Sequence, residues 1–206
     1  GGTLADTGAI SIASGVTFRA GTVDTVGVVT NAGTLDIDAN QTVTSLTNQA
    51  GGLVDQDANL TAAAGVTNAT GATYDLAGNI TAAGNVTQDG TLNVDGTRRI
   101  DVTGATTGLT GAGEITVNTA SDALTIDQIG DTTFAGIVTG AGSVTKEGTG
   151  ALTITGASTF TGGTTVSEGT LDTTGGGTLA DTGAISIASG ATFRAGTVDT
   201  VGVVTN

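Results

Sequence analysis

The sequence predicts an all-β parallel β-helix, a solenoid whose backbone winds upward in coils of about 19–20 residues. Three observations predict this fold. The composition is rich in glycine and β-branched residues, two residue patterns recur about every 20 residues, and a 31-residue passage occurs twice at an offset of 175 residues. Successive coils of such a fold pair their short strands in register, so that like residues stack above like.

Composition indicates strands and turns, and it excludes several classes of function. Glycine accounts for 36 of 206 residues, histidine and cysteine are absent, and aromatic residues reach only 2%. Frequent glycine between β-branched residues disfavours helices, whereas a mean hydropathy of +0.23 argues against a disordered chain. The net charge of -14 argues against binding to nucleic acid or anionic membranes. No apolar run is long enough to span a bilayer, so we expect no direct membrane insertion.

The short period is carried by two independent markers. The first marker is an aliphatic residue, a threonine and an amide, at spacings of 17, 20 and 20: Val29-Thr30-Asn31, Leu46-Thr47-Asn48, Val66-Thr67-Asn68 and Val86-Thr87-Gln88. The second is a six-residue segment at spacings of 19, 20 and 18, which starts at Leu35, Val54, Tyr74 and Leu92. A shared period of about 20 residues is the length of one β-helix coil.

Alternation within the second marker predicts which side chains are buried. Leu35 and Ile37 should point inward, while Asp36 and Asp38 should face water. Leu35, Val54, Tyr74 and Leu92 should then form one interior ladder.

At the following turn, Asn40, Asn59 and Asn79 should stack, because asparagine tolerates left-handed backbone and exchanges amide bonds with neighbouring coils.

The register is less regular between Thr103 and Thr133. Ile115 and Val117, then Leu124 and Ile126, are predicted as strand pairs. Arg98-Arg99 interrupts the pattern, which predicts an insertion or an outward loop nearby.

The long repeat sets the domain organisation. Gly1–Asn31 recurs as Gly176–Asn206, with Val16 replaced by Ala191. We therefore expect residues 1–175 to be one repeat unit and residues 176–206 to begin the next. A unit of about nine coils would rise roughly 43 Å at a strand spacing of about 4.8 Å.

One stretch resembles a known family. Gly140–Leu171 carries glycines at 140, 142, 148, 150, 156, 162, 163 and 169, aliphatic residues at 144, 152, 154, 166 and 171, and Lys146, Phe160 and Thr164. This order is similar to the passenger-associated transport repeat of bacterial autotransporters. The stretch departs from the family pattern at Ser158, where asparagine is usual, and at Phe160, where tyrosine is usual. The rest of the chain resembles the same broad class, including haemagglutinin-like adhesins, only in style.

The resemblance implies a right-handed β-helix that is secreted across the outer membrane of a Gram-negative bacterium, either displayed on the cell surface or released. It also implies that the repeat aids folding and transport and carries no catalytic residues.

Elementary chemistry adds local expectations to the same stretch. Val144, Leu152, Ile154, Phe160 and Val166 should be core residues. Gly162-Gly163 should permit a sharp corner that a side chain would block, and Lys146, the only lysine, should pair with Glu147 or Glu168.

Three kinds of site chemistry are conceivable for this composition. The absence of histidine and cysteine excludes most catalytic nucleophile systems and most zinc sites, and no catalytic residue is predicted. Asp36, Asp38, Asp55 and Asp57 could serve as the two carboxylates of glycoside hydrolysis, but a solvated face is the simpler interpretation. The same four aspartates are candidate calcium ligands, although the glycine and glutamate of an EF-hand loop are missing. Single threonines at 30, 47, 67 and 87 disfavour ice binding, and no cofactor is otherwise expected.

We therefore expect a non-enzymatic structural repeat of an extracellular fibre or surface adhesin, acting in cell-surface, cell–cell or biofilm attachment. Its partners would be neighbouring units of the same fibre, through coil stacking, and a host or bacterial cell surface or glycan. The alternatives are a passive stalk that displays another domain and a calcium-binding β-helix.

Overall fold

The computed structural model describes residues 5–6, 8–181, 183–196 and 199–206, and within these it contains only strands and turns. The remainder of the 31-residue passage, residues 1–4 and 7 in the first copy and 182, 197 and 198 in the second, lies outside the described residues. No described helix is long and apolar enough to cross a membrane.

Twenty-nine short strands follow one another through the described residues. They are β1 (Ala5–Asp6), β2 (Ile10–Ile12), β3 (Thr17–Ala20), β4 (Asp24–Asn31), β5 (Thr34–Ile37), β6 (Gln41–Asn48), β7 (Leu53–Gln56), β8 (Leu60–Ala62), β9 (Val66–Asn68), β10 (Thr73–Leu76), β11 (Ile80–Ala82), β12 (Val86–Gln88), β13 (Thr91–Val94), β14 (Thr97–Val102), β15 (Leu109–Thr110), β16 (Glu114–Val117), β17 (Ala123–Gln128), β18 (Thr132–Phe134), β19 (Ile137–Gly140), β20 (Ser143–Glu147), β21 (Ala151–Ile154), β22 (Ala157–Ser158), β23 (Thr164–Val166), β24 (Thr170–Asp172), β25 (Thr178–Asp181), β26 (Ile185–Ile187), β27 (Thr192–Arg194), β28 (Thr200–Val201) and β29 (Val204–Thr205).

These strands form a parallel solenoid, as the periodicity predicts. Each turn contributes one strand to each of three stacks, which we call faces. Face 1 contains β2, residues 28–31 of β4, residues 45–48 of β6, β9, β12, β15, β18, β21, β24 and β27. Face 2 contains β3, β5, β7, β10, β13, β16, β19, β22, β25 and β28. Face 3 contains β1, residues 24–26 of β4, residues 41–43 of β6, β8, β11, β14, β17, β20, β23, β26 and β29.

The predicted interior ladder is confirmed on face 2. Leu35, Val54, Tyr74 and Leu92 are aligned in register, and each is at most 5% exposed. Since strands alternate their side chains, one aliphatic residue in every two enters the core along each face. The core is therefore a thin aliphatic column that runs the length of the described solenoid.

The irregular region contains the predicted strands and two longer corners. Ile115, Val117, Leu124 and Ile126 are all buried. On face 3 Ile80 pairs with Ile100, and Ile100 pairs in turn with Ile126, so the second of these coils is the longer one. The extra residues lie in the corners 103–108 and 118–122.

Arg98 and Arg99 do not themselves interrupt the ladder, and the insertion predicted nearby is found in the longer corner 103–108. Both residues lie inside β14 and pair with β17. The irregularity that the sequence shows here belongs to the corners that follow rather than to the two arginines.

Candidate functional site

The most distinctive surface is a row of carboxylates on face 2, which we call the acidic ladder. The row contains Asp36, Asp55 and Asp75 in the strands, with Asp38, Asp57 and Asp95 at the adjoining corner. Asp36, Asp55 and Asp75 are aligned in register, one coil apart, so about 4.8 Å separates their backbones. Alternation places these side chains outward because their neighbours fill the core. Part of the ladder lines an open groove of about 480 Å³.

The charge of the acidic ladder is balanced mainly at one end. The Arg19 guanidinium lies 2.8 Å from Asp36 and 3.0 Å from Asp38. Asp75 accepts a hydrogen bond of 2.7 Å from the Asn93 amide. Asp55 lies between these groups, and partial burial, followed by repulsion from Asp57 and other carboxylates, raises its pKa. The middle of the ladder is therefore where negative charge is least compensated.

The structure brings all four candidate calcium ligands together on this surface. Asp36 and Asp38 share Arg19, whereas Asp55 and Asp57 have no ion pair of their own among the described residues. In the part of the chain that is described, no group of three or more acidic side chains has an arrangement that could hold a metal ion. Calcium binding thus stays an untested alternative, and a solvated acidic face stays the simpler interpretation of these aspartates.

A buried amide ladder on face 1 is the main feature that sequence reasoning missed. The ladder consists of the amide residues that end the first sequence marker in each coil, and all are at most 2% exposed: Asn31, Asn48, Asn68 and Gln88. Each amide donates to the next one along the stack at 2.9–3.0 Å. The same amides donate to carbonyls of the following corner, such as Leu53 and Thr73 at 2.8 Å. The amide that recurs in the first marker is the sequence feature that could have predicted this ladder, because a polar residue at a core-facing position needs hydrogen-bond partners.

The predicted stack of Asn40, Asn59 and Asn79 is confirmed, but its chemistry differs from the prediction. The Oδ1 of Asn40 accepts from the backbone N–H of Asn59 at 3.1 Å, and Asn59 accepts from Asn79 at 3.0 Å. The Oδ1 of Asn79 accepts from the Arg99 N–H at 2.9 Å. The bonds therefore join side chain to backbone rather than amide to amide. The expectation of left-handed backbone is wrong, since no described residue except glycine has a positive φ.

Lys146 forms none of the described ion pairs, so the predicted pair with Glu147 or Glu168 is not found. It is 1% exposed and stands in register between Ile126 and Val166 in the core. Its ammonium donates to the carbonyl oxygens of Glu147 and Gly148, the latter at 2.7 Å. Burial lowers the pKa of this ammonium to about 8. The lysine thus satisfies corner carbonyls from inside, as buried Gln128 does at the same corner one coil earlier.

Threonines form outward rows on two faces. Thr30, Thr47, Thr67 and Thr87 are in register on face 1, as the first marker predicts. A second row on face 3, which sequence reasoning missed, contains Thr25, Thr42, Thr61 and Thr81. Such rows are expected where β-branched residues fill solvent-facing strand positions.

Arg99 joins three coils on face 3. Its guanidinium forms ion pairs with Asp127 of the next coil and with Glu147 of the coil after that, the latter at 2.6 Å. Because Asp127 and Glu147 are themselves in register, the arginine neutralises two stacked carboxylates at once. The Arg99–Asp127 pair therefore joins the strands before and after the coil that contains the two longer corners.

The structure tests the predicted core residues and the predicted corner of the motif in Gly140–Leu171. Val144, Leu152, Ile154, Phe160 and Val166 are all buried, as predicted. A Cβ on Gly162 would lie 2.2 Å from the carbonyl oxygen of Gly142, so the corner there excludes any side chain. A Cβ on Gly163 would meet its nearest atom only at 3.0 Å, so the prediction of a blocked corner holds for Gly162 and is too strict for Gly163.

The family model of the passenger-associated-transport-repeat matches residues 144–172. The resemblance to an autotransporter passenger repeat is therefore confirmed. The matched residues run from β20 to β24 and so include about one and a half coils. Comparison with curated proteins and with solved structures finds no match. The repeat and the solenoid together fit a structural repeat of an autotransporter passenger.

Proposed function

We propose that this chain is a structural, non-enzymatic segment of an extracellular fibre or surface adhesin of a Gram-negative bacterium, which mediates cell-surface, cell–cell or biofilm attachment. Support comes from the passenger repeat at residues 144–172 and from strand pairing that continues from one copy of the 31-residue passage into the other. The repeat family favours a protein that is secreted or exposed at the cell surface.

One observation carries the proposal that units join end to end. The second passage continues the solenoid of the unit before it, since Ile185 pairs with Thr164. Val204 occupies the same place in the second passage as Val29 does in the first. Val29 is 3% exposed because the next coil covers it. A following coil of the same sequence would bury Val204 in the same way. Repeat proteins cover their open coils with the next unit for this reason.

The mechanism that we propose is mechanical. Each coil is bonded to the next along three faces and by the buried amide ladder, so bending the rod requires breaking many bonds at once. Tandem units would extend the rod by about 42–43 Å each at a coil spacing of about 4.8 Å. A net charge of -14 on each chain of this length would keep neighbouring rods apart.

Self-association tests the open end. At high protein concentration we expect concentration-dependent end-to-end oligomers in sedimentation equilibrium, because an open strand edge pairs readily with another chain. Val204→Glu should abolish them. Val203→Glu is the matched control and should not, because Val203 corresponds to Val28, which stays 41% exposed even where a coil follows. A wild-type chain that remained monomeric throughout would contradict the proposal.

Attachment is tested with a chain of four tandem units. Electron microscopy should show straight rods that lengthen by about 42–43 Å per unit. Binding is then measured to bacterial cells, host cells, a glycan array and the rod itself. Binding to any of them supports an adhesin, whereas rods inert towards all of them would favour the passive stalk.

A further inference from the structure

The two copies of the 31-residue passage pair with their neighbours in the same way. Ile10 pairs with Val29 in the first copy, and Ile185 pairs with Val204 in the second. The pairing of Ala5 with Thr25 is likewise repeated by Ala180 with Thr200. The local structure of the passage is therefore the same in both places.

The two copies nevertheless lie on different faces. In the first copy β2 belongs to face 1 and β3 to face 2. Their counterparts in the second copy are β26, which belongs to face 3, and β27, which belongs to face 1. Every described strand of the second passage is thus displaced by one face in the same direction.

The displacement follows from the number of strands in a unit. From β1 to β24, with β4 and β6 each serving two faces, the described part of the unit contains 26 strand segments. Three segments complete a turn, so a unit makes about 8⅔ turns rather than a whole number. A third of a turn is left over at each repeat.

We propose that successive 175-residue units of the tandem fibre are related by a threefold screw, each unit turned by about one third of a turn from the one before. This proposal rests on the fibre proposed above. The rise per unit is about 42 Å, and a given surface returns to the same side only after three units, or roughly 125 Å.

The consequence concerns how the fibre meets its partners. A surface that occurs once per unit, such as the acidic ladder, points in three directions along the fibre. The fibre therefore has no single adhesive stripe, and a second fibre or a cell surface meets the same groups from any side. Binding to several units at once would then come from a partner that surrounds the fibre rather than from one flat neighbour.

Disulfide trapping tests the displacement within the present chain. Ser186 lies in register with Thr165 on face 3, at the roughly 4.8 Å backbone spacing that a disulfide bridges. If the second copy instead kept face 1, Ser186 would lie beside Asp172 of β24. We expect the double variant Thr165→Cys/Ser186→Cys to form the bond on mild oxidation, and Asp172→Cys/Ser186→Cys to remain reduced.

Ser11→Cys/Thr30→Cys is the matched control, because this pair shares the local register of the passage without testing its face. Circular dichroism of the reduced variants verifies that each is folded. Bond formation in the Asp172→Cys/Ser186→Cys variant, with none in the Thr165→Cys pair, would overturn the displacement.

Helical reconstruction of a six-unit chain by electron cryo-microscopy tests the screw itself. We expect a rotation of about one third of a turn for each rise of about 42 Å. Straight rods whose units repeat at that rise without any rotation would refute the threefold screw but would still support the proposed fibre. Chains that form no rod would overturn the fibre as well.

Discussion

Asn48 provides the sharpest test of what holds the coils together. Its amide nitrogen donates to the Asn68 side chain at 2.9 Å and to the Thr73 carbonyl at 2.8 Å, while its oxygen accepts from Asn31 at 2.9 Å. The side chain is completely buried. Asn48→Ala removes these bonds in the middle of the stack and leaves polar groups on both sides without their partner.

The expected loss of stability follows from the buried polar groups that are left without a hydrogen-bond partner. A buried polar group without a partner costs about 1–3 kcal/mol, and the substitution affects at least the Asn68 oxygen and the Thr73 carbonyl. We expect a loss of about 3 kcal/mol, which for a chain of this size corresponds to a fall in Tm of roughly 6–12 °C. Thermal unfolding followed by circular dichroism measures it. Asn48→Leu keeps the branched shape without leaving a cavity, and so separates the lost hydrogen bonds from a packing defect.

Asn40→Ala is the matched control, since it removes the same side-chain type from the exposed outer stack. The Asn40 side chain accepts from the Asn59 N–H at 3.1 Å. We expect a loss of about 0.5–1 kcal/mol. If Asn48→Ala and Asn40→Ala lowered Tm equally, the buried amide ladder would not be the element that stabilises coil stacking.

Three further predictions concern the Gly162 corner, Lys146 and Asp55. Gly162→Ala should lower the free energy of unfolding by about 2–3 kcal/mol in urea titrations, because its Cβ would lie 2.2 Å from a backbone oxygen. Gly163→Ala should cost less than about 1 kcal/mol, and equal costs for the two variants would contradict the corner geometry. The pKa of Lys146 is lowered to about 8 in the folded state, so on raising the pH the folded state loses this proton before the unfolded state does. The free energy of unfolding of the wild type, measured relative to Lys146→Met, should therefore rise by up to about 3 kcal/mol between pH 8 and 10.5. A difference between the two proteins that does not change with pH would refute a buried ammonium. The raised pKa of Asp55 means that its ionisation opposes folding, so Asp55→Asn should stabilise at pH 7 by about a few tenths of a kcal/mol in low salt. Burial raises this pKa more than repulsion does, and salt screens only the repulsion, so the gain should shrink in about 1 M salt without vanishing; the absence of any gain in low salt would refute it.

The sequence predicts the fold well because every coil of a solenoid repeats the same residue pattern. Leu35, Val54 and Tyr74 recur at the coil period, and their spacing is the register step of the ladder that they form. A single marker would have been ambiguous. Agreement between two markers leaves only a fold in which residues one period apart are stacked.

The interior polar groups could not be predicted from the same pattern. Period-two alternation assigns a residue to the inside or the outside, but it does not say whether a corner leaves carbonyls that need donors. Lys146 shows the difficulty, since a lysine is almost always exposed unless its ammonium finds partners. Its interior position follows only from its register between Ile126 and Val166.

The sequence predicts the carboxylate row of the candidate surface but not the charge that balances it. An outward row is expected for Asp36, Asp38, Asp55 and Asp57, and Asp36 and Asp55 are in register as such a row requires. The role of Arg19 was hidden, because it lies in a shorter coil that precedes the regular period. A shorter coil changes which residues are neighbours without leaving a local signal.

The displacement of the repeated passage explains how one sequence can serve on any face. Ile10 pairs with Val29 on face 1, and its counterpart Ile185 is buried on face 3 between Thr164 and Val204. All three faces use the same alternation and the same aliphatic column, so a passage meets equivalent packing wherever it falls. A duplication therefore needs to preserve only the step from one strand to the next, not a whole number of turns. Insertion of one complete coil into the unit should leave the third-turn displacement unchanged, whereas insertion of a single strand and corner should change it.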